Sequence, residues 1–395
     1  MKPVQMVPGV HWTGVLDPQL RTFDVIMHAD HGTTYNSYLV KGSTGCAVIE
    51  TNKTKFKDTY LENLASLVDF SEITHIIVNH TEPDHSGCLE SLLERAGSAK
   101  LVSSKNAVPL IKAILNRDVE VMTVGDGDTL DLGGKTLRFI TAPFLHWPDT
   151  MFTYLEEDGI LFPCDFLGCH YADDRLFNDL VDDFSYSYEY YFHVIFRPFK
   201  EHVLKGLDKI RDLPIRMIAP SHGPILREDP SHFTDLYRKW ASVPEEKGKP
   251  SLMVLYASAY GNTARMAEAI AEGAREGGME VSVFDLEVAD PISLLDKVES
   301  ADALAVGSLT IEGDAVKPVW DFLSSLATLK RRGKVAMSFG SYGWSGEAPR
   351  FIEERLKQLR FKVPEENLRV QMFPTEEDLK SCNDLGRRLA ELVAE

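Results

Sequence analysis

The 395-residue chain is predicted to fold as two domains, an α+β domain followed by a doubly wound α/β domain, and three features carry that expectation. The length exceeds what one ordinary hydrophobic core serves. The stretch Val243-Pro244-Glu245-Glu246-Lys247-Gly248-Lys249-Pro250 is a short polar connector with two prolines, so the domains are expected at 1–246 and 250–395. Across that connector the hydrophobic pattern changes from an irregular mixture of hairpins and helices to a regular alternation of strand and helix.

Taken in order, apolar runs such as CAVIETN, HIIVNH and GILFPCD predict strands at 46–52, 75–80, 100–104, 136–143, 151–157, 159–165 and 216–223. Helical periodicity appears at 56–70 and 106–116. After residue 250, strands are expected at 251–256, 280–285, 303–307, 334–339 and 367–372, with helices at 262–276, 290–297, 316–326, 347–359 and 375–394. Five parallel strands wrapped by helices is the doubly wound arrangement.

Composition narrows the function. Hydrophobic residues make up 44% and no apolar run approaches membrane-spanning length, so no membrane association is expected. The amino-terminal stretch MKPVQMVPGVHWTG lacks an apolar signal segment, which makes the cytoplasm the expected compartment. A net charge of -18 disfavours nucleic acid as a partner. The five cysteines, at 46, 88, 164, 169 and 382, form no CxxC pair, so neither a zinc ribbon nor a rubredoxin-like site is encoded.

NHTEPDHSG, residues 79–87, places His80, Glu82, Asp84 and His85 on one sharp turn after a buried-looking strand. His146, Asp165 and His222 occupy similar places at other strand ends, and His170 follows Asp165 closely. Singly, each has an ordinary explanation: a satisfied polar histidine, a turn aspartate or a helix cap. Jointly they read as a metal site. Imidazoles mixed with carboxylates suit two hard to borderline ions such as iron or manganese better than one structural zinc. Asp165 is the natural bridge, since each carboxylate oxygen can serve one ion. That arrangement gives His80, Glu82 and His146 to one ion and Asp84, His85 and His222 to the other, about 3.5–4 Å apart.

In the second domain, VLYASAYGNTARMAEAI sets a polar loop, Ser258-Ala259-Tyr260-Gly261-Asn262-Thr263, between a strand and a helix start. Backbone N–H groups there, with the Ser258 and Thr263 hydroxyls, can satisfy a phosphate. Neither a dinucleotide fingerprint nor a triphosphate loop is present, so a monophosphate fits best. VGSLTIEGDA, containing Ser308, Leu309 and Thr310, and FGSYGWSGEA, containing Ser341, Tyr342, Gly343, Trp344 and Gly346, leave the ends of neighbouring strands. Tyr342 and Trp344 offer faces for a planar ring, and the glycines permit close backbone approach.

With these motifs in place, the chain resembles the flavodiiron proteins (A-type flavoproteins) over nearly its whole length. The first domain resembles the metallo-β-lactamase αββα sandwich, with HTEPDH in place of the His-x-His-x-Asp-His of its zinc hydrolases. The second resembles flavodoxin with FMN bound. The resemblance implies that His80, Glu82, Asp84, His146, Asp165 and His222 bind two iron ions, that His85 either binds the second iron or is turned aside, and that His170 and Tyr190 lie beside the diiron pocket. It further implies reduction of dioxygen to water, of nitric oxide to nitrous oxide, or of both, with electrons from a rubredoxin-type donor. A head-to-tail homodimer, or a tetramer built from it, is the implied assembly. Two departures stand out. RTFDV puts Asp24 where many members carry a pocket histidine, leaving Asp24, His28 and His31 to serve the bound gas. Ser308-Leu309-Thr310 and Glu312-Gly313 replace the family's more usual middle flavin loop. The competing readings are a dimetal hydrolase of esters or thioesters and an electron-transfer module with a structural metal. Glu82 and the attached flavin-type domain weigh against the first, and an open carboxylate and imidazole set weighs against the second.

Overall fold

The computed structural model describes residues 1–25, 27–242, 248–289, 291–329, 333–364 and 367–395. The chain divides into two compact units, Met1–Val243 and Pro244–Glu395. Residues 243–247 of the expected connector lie outside the described residues.

In the first unit two sheets face each other. One runs, in spatial order, Val4–Val7, Val10–Trp12, Tyr38–Lys41, Cys46–Ile49, His75–Val78, Lys100–Ser104 and Val121–Val124. The other runs Thr129–Asp131, Thr136–Thr141, Met151–Leu155, Ile160–Phe162 and Met217–Ile218. Strand alternation sorts their side chains into layers. Val40, Ala47, Ile49 and Ile77 pack between the sheets with Phe139, Met151, Leu155 and Phe162. Their neighbours Leu39, Cys46, Val48, Ile76 and Val78 pack outward on the helices Lys57–Ala65, Leu89–Arg95 and Ala107–Leu115. Ile140, Phe152, Tyr154 and Leu161 cover the outer face of the second sheet with Ser185–Tyr191, Lys200–Ile210 and Pro230–Ala241. The result is the expected αββα sandwich.

This layering also positions the site. Cys46–Ile49, His75–Val78 and Lys100–Ser104 run parallel, as do Ile160–Phe162 and Met217–Ile218. Parallel strands deliver their following residues to one edge, so Asn79-His80, Asp165 and His222 emerge together. The turn holds a short helix, Pro83–Ser86, with Glu82 at its N-cap. The Glu82 side chain makes no capping hydrogen bond, so the capping explanation of this residue fails.

In the second unit five parallel strands lie in the order Glu280–Asp285, Ser251–Tyr256, Ala303–Gly307, Val335–Tyr342 and Leu368–Gln371. In sequence terms this is 2-1-3-4-5, whose order reverses beside the first strand and leaves a crevice at the strand ends. Met253, Leu255, Leu304 and Val306 face the helices Pro291–Ser300, Lys317–Ser325 and Ala348–Gln358, while Leu252, Val254, Ala303 and Ala305 face Asn262–Glu276 and Glu376–Ala394. Residue 290, the expected start of one helix, lies outside the described residues.

The two helices on the latter face cross at glycines. A Cβ on Gly386 would stand 2.0 Å from the Ile270 carbonyl oxygen, and one on Gly273 would stand 1.9 Å from that of Asn383. Alanine improves helix propensity by about 1 kcal/mol. Overpacking against backbone, which cannot rotate aside, costs about 1–3 kcal/mol, so the clash dominates. Gly386→Ala is therefore expected to lower the calorimetric Tm of this unit by about 2–4 °C; a raised Tm would refute the close crossing.

Candidate metal centre and flavin pocket

Seven side chains converge at the strand edge of the first unit. His80, Glu82, His146 and Asp165 each bring a ligand atom within 4.8 Å of the others, and so do Asp84, His85 and His222. Asp165 joins the two groups. Its Oδ2 lies 3.6 Å from His80 Nε2 and 3.2 Å from His146 Nε2, while its Oδ1 lies 3.0 Å from His85 Nε2 and 3.4 Å from His222 Nε2. Glu82 closes the first pocket, its Oε2 being 3.2 Å from His80 and 3.1 Å from His146. Asp84 closes the second, 3.3 Å from His85 through Oδ1 and 3.1 Å from His222 through Oδ2. Each oxygen of one carboxylate thus serves a different pocket.

Outer partners fix how these rings present themselves. His222 Nδ1 sits 2.6 Å from the Thr34 carbonyl oxygen, so Nδ1–H donates there and the Nε2 lone pair faces the carboxylates. Asp149, fully buried, accepts the Thr81 N–H at 2.8 Å through the oxygen that lies 3.5 Å from His80 Nδ1. Thr33 Oγ1 meets His170 Nδ1 at 2.9 Å, and the Phe23 ring lies 4.1 Å from the same imidazole.

Electrostatics follow from this crowding. Burial pushes the Asp165 carboxyl up, but the facing imidazoles of His85, His146 and His222 outweigh it and hold it well below the usual range. Burial opposes charge on His80, yet Asp149, Glu82 and Asp165 raise it to about 10. His85 and His146 are raised against the same opposition, largely by Asp165. His170 is depressed by burial and by His222, so it is a neutral imidazole.

The second unit carries a cavity of about 600 Å³ at its strand ends, lined by Ala259, Tyr260, Asn262, Leu309, Thr310 and Ser341 among others, with Tyr342, Trp344 and Phe373 around it. Tyr260 and Trp344 are 89% and 90% exposed, an unusual state for large aromatics and one that a planar ligand would relieve. Gly261, at φ 79°, turns the chain into the helix Asn262–Glu276, whose first N–H groups face outward from its start.

Residues 33–223 match the model of the ODP family beta lactamase, and residues 254–386 match that of flavodoxin. A type A flavoprotein of Rhodobacter capsulatus is 46% identical over 396 residues, covering 98% of this chain and 91% of that protein. A nitric oxide reductase of Moorella thermoacetica is 36% identical over 402 residues, covering both chains fully. The solved rubredoxin oxygen:oxidoreductase of Desulfovibrio gigas superposes with a TM-score of 0.77 at 26% identity, over 100% of this chain and 99% of that one. The chain belongs to the flavodiiron, or A-type flavoprotein, family.

Every sequence-predicted metal ligand of this flavodiiron protein reaches the cage, including His85, whose Nε2 points inward. The residues suit the family's cofactors on their own chemistry. Among the described residues, His85 Nε2, Asp84 Oδ1 and Asp165 Oδ1 are buried without a hydrogen-bond partner, which cations between them would satisfy. Of the groups beside the pocket, His28 lines a small cavity with His170 and Tyr190, and its backbone N–H donates to the Tyr190 hydroxyl at 3.1 Å. His31 instead packs on Tyr171. The Asp24 carboxyl is raised by burial and by Glu82 and Asp84, which places it in the field of the cage.

The flavin residues divide. Ala259, Tyr260, Asn262, Leu309, Thr310, Ser341, Tyr342, Gly343 and Trp344 line the cavity. Ser258, Gly261, Thr263, Ser308 and Gly346 do not, for structural reasons in several cases. Ser258 Oγ accepts the Ala264 N–H, Thr263 is buried against Ser341 at 2.8 Å, and Ser308 Oγ bonds the Leu309 carbonyl oxygen and the Val316 N–H. A Cβ on Gly346 would meet the Tyr342 ring at 2.8 Å. Sequence reasoning missed Met372 and Phe373, which line the cavity from beyond the last strand. It also missed Asp149, Thr33 and Thr34. A carboxylate three residues after His146, in HWPDT, was the one signal available for Asp149.

Two outcomes follow. Without metal, a raised histidine stabilises the fold fully below its unfolded pKa and loses that contribution as pH rises through its folded value. The metal-free protein is thus expected to lose thermal stability between pH 6.5 and about 10, the span over which folded His80 still holds a proton that the unfolded chain has released. The metal-loaded protein, scanned alongside, is expected to hold its Tm there, because ions replace the protons; parallel curves would refute the exchange. Asp165→Ala removes the one carboxylate common to both pockets, so metal content is expected to collapse while FMN content stays near native. Equal loss of both cofactors would show general misfolding instead.

Proposed function

We propose that this protein is an oxidoreductase that reduces dioxygen to water, nitric oxide to nitrous oxide, or both, at a diiron centre supplied with electrons by FMN. The observation that carries the reading is the split of Asp165, one oxygen toward each imidazole pocket, in a chain that also holds a flavin-type cavity. His80, Glu82, His146, Asp84, His85 and His222 would hold the ions with it. When bound, two ferrous ions give one electron each and reduced FMN gives two, which covers four for dioxygen or two for a pair of nitric oxide molecules.

The protein's part is to bind, orient and protonate. Thr34 and Asp149 fix His222 and His80 with their lone pairs inward. Neutral His170, with Thr33 on its Nδ1, and the Tyr190 hydroxyl are the groups that would direct hydrogen bonds toward a bound gas. Asp24 replaces the family's usual pocket histidine and keeps its proton to a higher pH than an ordinary aspartate. In the second unit, N–H groups at the start of Asn262–Glu276 would hold the FMN phosphate, and Tyr342 and Trp344 would flank its ring. A dimetal hydrolase needs none of this flavin machinery.

Electrons are proposed to come from a rubredoxin-type carrier, since the chain has no dinucleotide loop and no CxxC pair. The working unit is proposed to be a head-to-tail homodimer or a tetramer of such dimers, with the exposed aromatics around the flavin cavity covered by the partner. Cytoplasmic residence fits five free, buried cysteines and the lack, among the described residues, of any helix long and apolar enough to cross a membrane.

One set of measurements tests the reading. Anaerobic flavin bleaching by NADH alone is expected to be slow, and to accelerate strongly with rubredoxin and its reductase. Turnover with each gas, followed across a dilution series, is expected to fall as dimers dissociate. Rapid bleaching by NADH alone would remove the carrier, undiminished turnover of monomers would remove the dimer, and a zinc-loaded, flavin-free protein that hydrolyses thioesters would overturn the function.

A further inference from the structure

One buried acid has no part in the account above. Glu50 follows the strand Cys46–Ile49 and is 1% exposed, and it adopts a left-handed backbone, φ 62°, that non-glycine residues rarely take. Its Oε1 accepts the Asn79 N–H at 2.6 Å. Its Oε2 is buried without a hydrogen-bond partner among the described residues, and so is His85 Nδ1. A carboxylate oxygen of Glu50, a ring nitrogen of His85 and the Cys164 sulfur lie within 4.8 Å of one another, all three residues being buried.

The surroundings leave little choice of partner. His85 Nε2 faces Asp165 at 3.0 Å and Asp84 at 3.3 Å, on the side of the metal cage, so Nδ1 is the nitrogen left for Glu50. Cys164 is the weaker acceptor, and its sulfur already receives the Ser221 hydroxyl at 3.4 Å. The backbone supports the pairing. Thr51, next in sequence to Glu50, donates to the His85 carbonyl oxygen through both its N–H, at 2.8 Å, and its hydroxyl, at 2.5 Å. One dipeptide therefore grips the turn that carries His80, Glu82, Asp84 and His85.

We propose that Glu50 is a positioning residue that accepts the His85 Nδ1–H, fixing the tautomer and ring orientation that aim the Nε2 lone pair at the second metal pocket. Two donors, Asn79 N–H and His85 Nδ1–H, face a side chain with two acceptor oxygens. A carboxylate matches both; burial pushes the Glu50 carboxyl up to about 8, against the downward pull of the His85 and His80 rings. Glutamine has the same shape but one acceptor, so it satisfies one donor and turns its NH2 on the other. The proposal rests on the reading that His85 binds the second ion.

The test is a double-mutant cycle read by anaerobic titration with ferrous iron alone. Glu50→Gln is expected to weaken the second ion by about 10- to 100-fold, the usual effect of losing a partner of this kind. His85→Ala is expected to weaken it at least as much, and the double variant no further, because Glu50 acts through His85. FMN content near one per chain in every variant reports an intact fold. An unchanged affinity in Glu50→Gln, or an equal additional loss when it is added to His85→Ala, would overturn the proposal and assign Glu50 to the Asn79 turn. His85→Ala binding both ions as tightly as the native chain would instead overturn the ligand reading beneath it. Should Glu50→Gln not fold, Glu50→Asp, which keeps the charge on a shorter arm, enters the same cycle with the same outcomes.

Discussion

The first unit is organised around the burial of one carboxylate among four imidazoles. Asp165 is 2% exposed, and stripping water from an ionised carboxyl costs about several kcal/mol even after relaxation. Ring nitrogens at 3.0–3.6 Å are what offset that cost, and they come from three separate segments, His80 and His85 on one turn and His146 and His222 on two others. Those segments must therefore end at the same point in space. Two face-to-face sheets whose parallel strands run out at a common edge meet that demand, and the mixed topology of the sandwich follows from it. Glu82 and Asp84 add negative charge that the same imidazoles, or cations between them, must balance.

The flavin cavity solves the opposite problem. There the cost is apolar surface left in water: Tyr260, Trp344 and Phe373 are 89%, 90% and 69% exposed around one crevice. Rigid strands end beneath it, while the loops above carry the residues with unusual backbones, Gly261, Glu312, Gly313 and Met372. Such loops can approach a flat ligand closely because they are not bound into a ladder. The metal cage is thus held by charge from within, and the flavin cavity is shaped for a ligand that completes it.

Much of this was legible in the sequence because it obeys short-range rules. In the second unit the strands at 251–256, 280–285 and 303–307 and the helix at 262–276 fall on the residues that periodicity assigns, since a parallel sheet covered on both faces writes its burial into continuous apolar runs. The seven converging side chains were legible as residue types at strand ends and on one turn. What stayed hidden lay in the tertiary arrangement. Strands of three or four residues such as Val10–Trp12 and Val121–Val124 are too short to show a period, and the helices Lys200–Ile210 and Pro230–Ala241 were passed over although Asp229-Pro230 is a capping signal. Ser258 and Thr263, chosen for their hydroxyls, spend them on the fold. Glu50 left no pattern at all and Asp149 only its place soon after His146, because each faces a histidine distant in sequence.

The outer partners also make the histidines within each metal pocket unlike each other. A carboxylate behind an imidazole raises its basicity more than a carbonyl does, since a full negative charge lies at the far end of the ring. In the first pocket His80 has Asp149 behind it. In the second, His222 has the Thr34 carbonyl oxygen, and His85 has the Glu50 side of the site. Each pocket so pairs a carboxylate-backed histidine with one that is held differently, and each adds one private carboxylate, Glu82 or Asp84, to a share of Asp165. Glu82 lies two residues from His80 and Asp84 one from His85, so a single turn sets both private acids. A change in the direction of that turn would unbalance both pockets at once, which is why the Glu50-Thr51 grip on its last histidine matters to the whole cage.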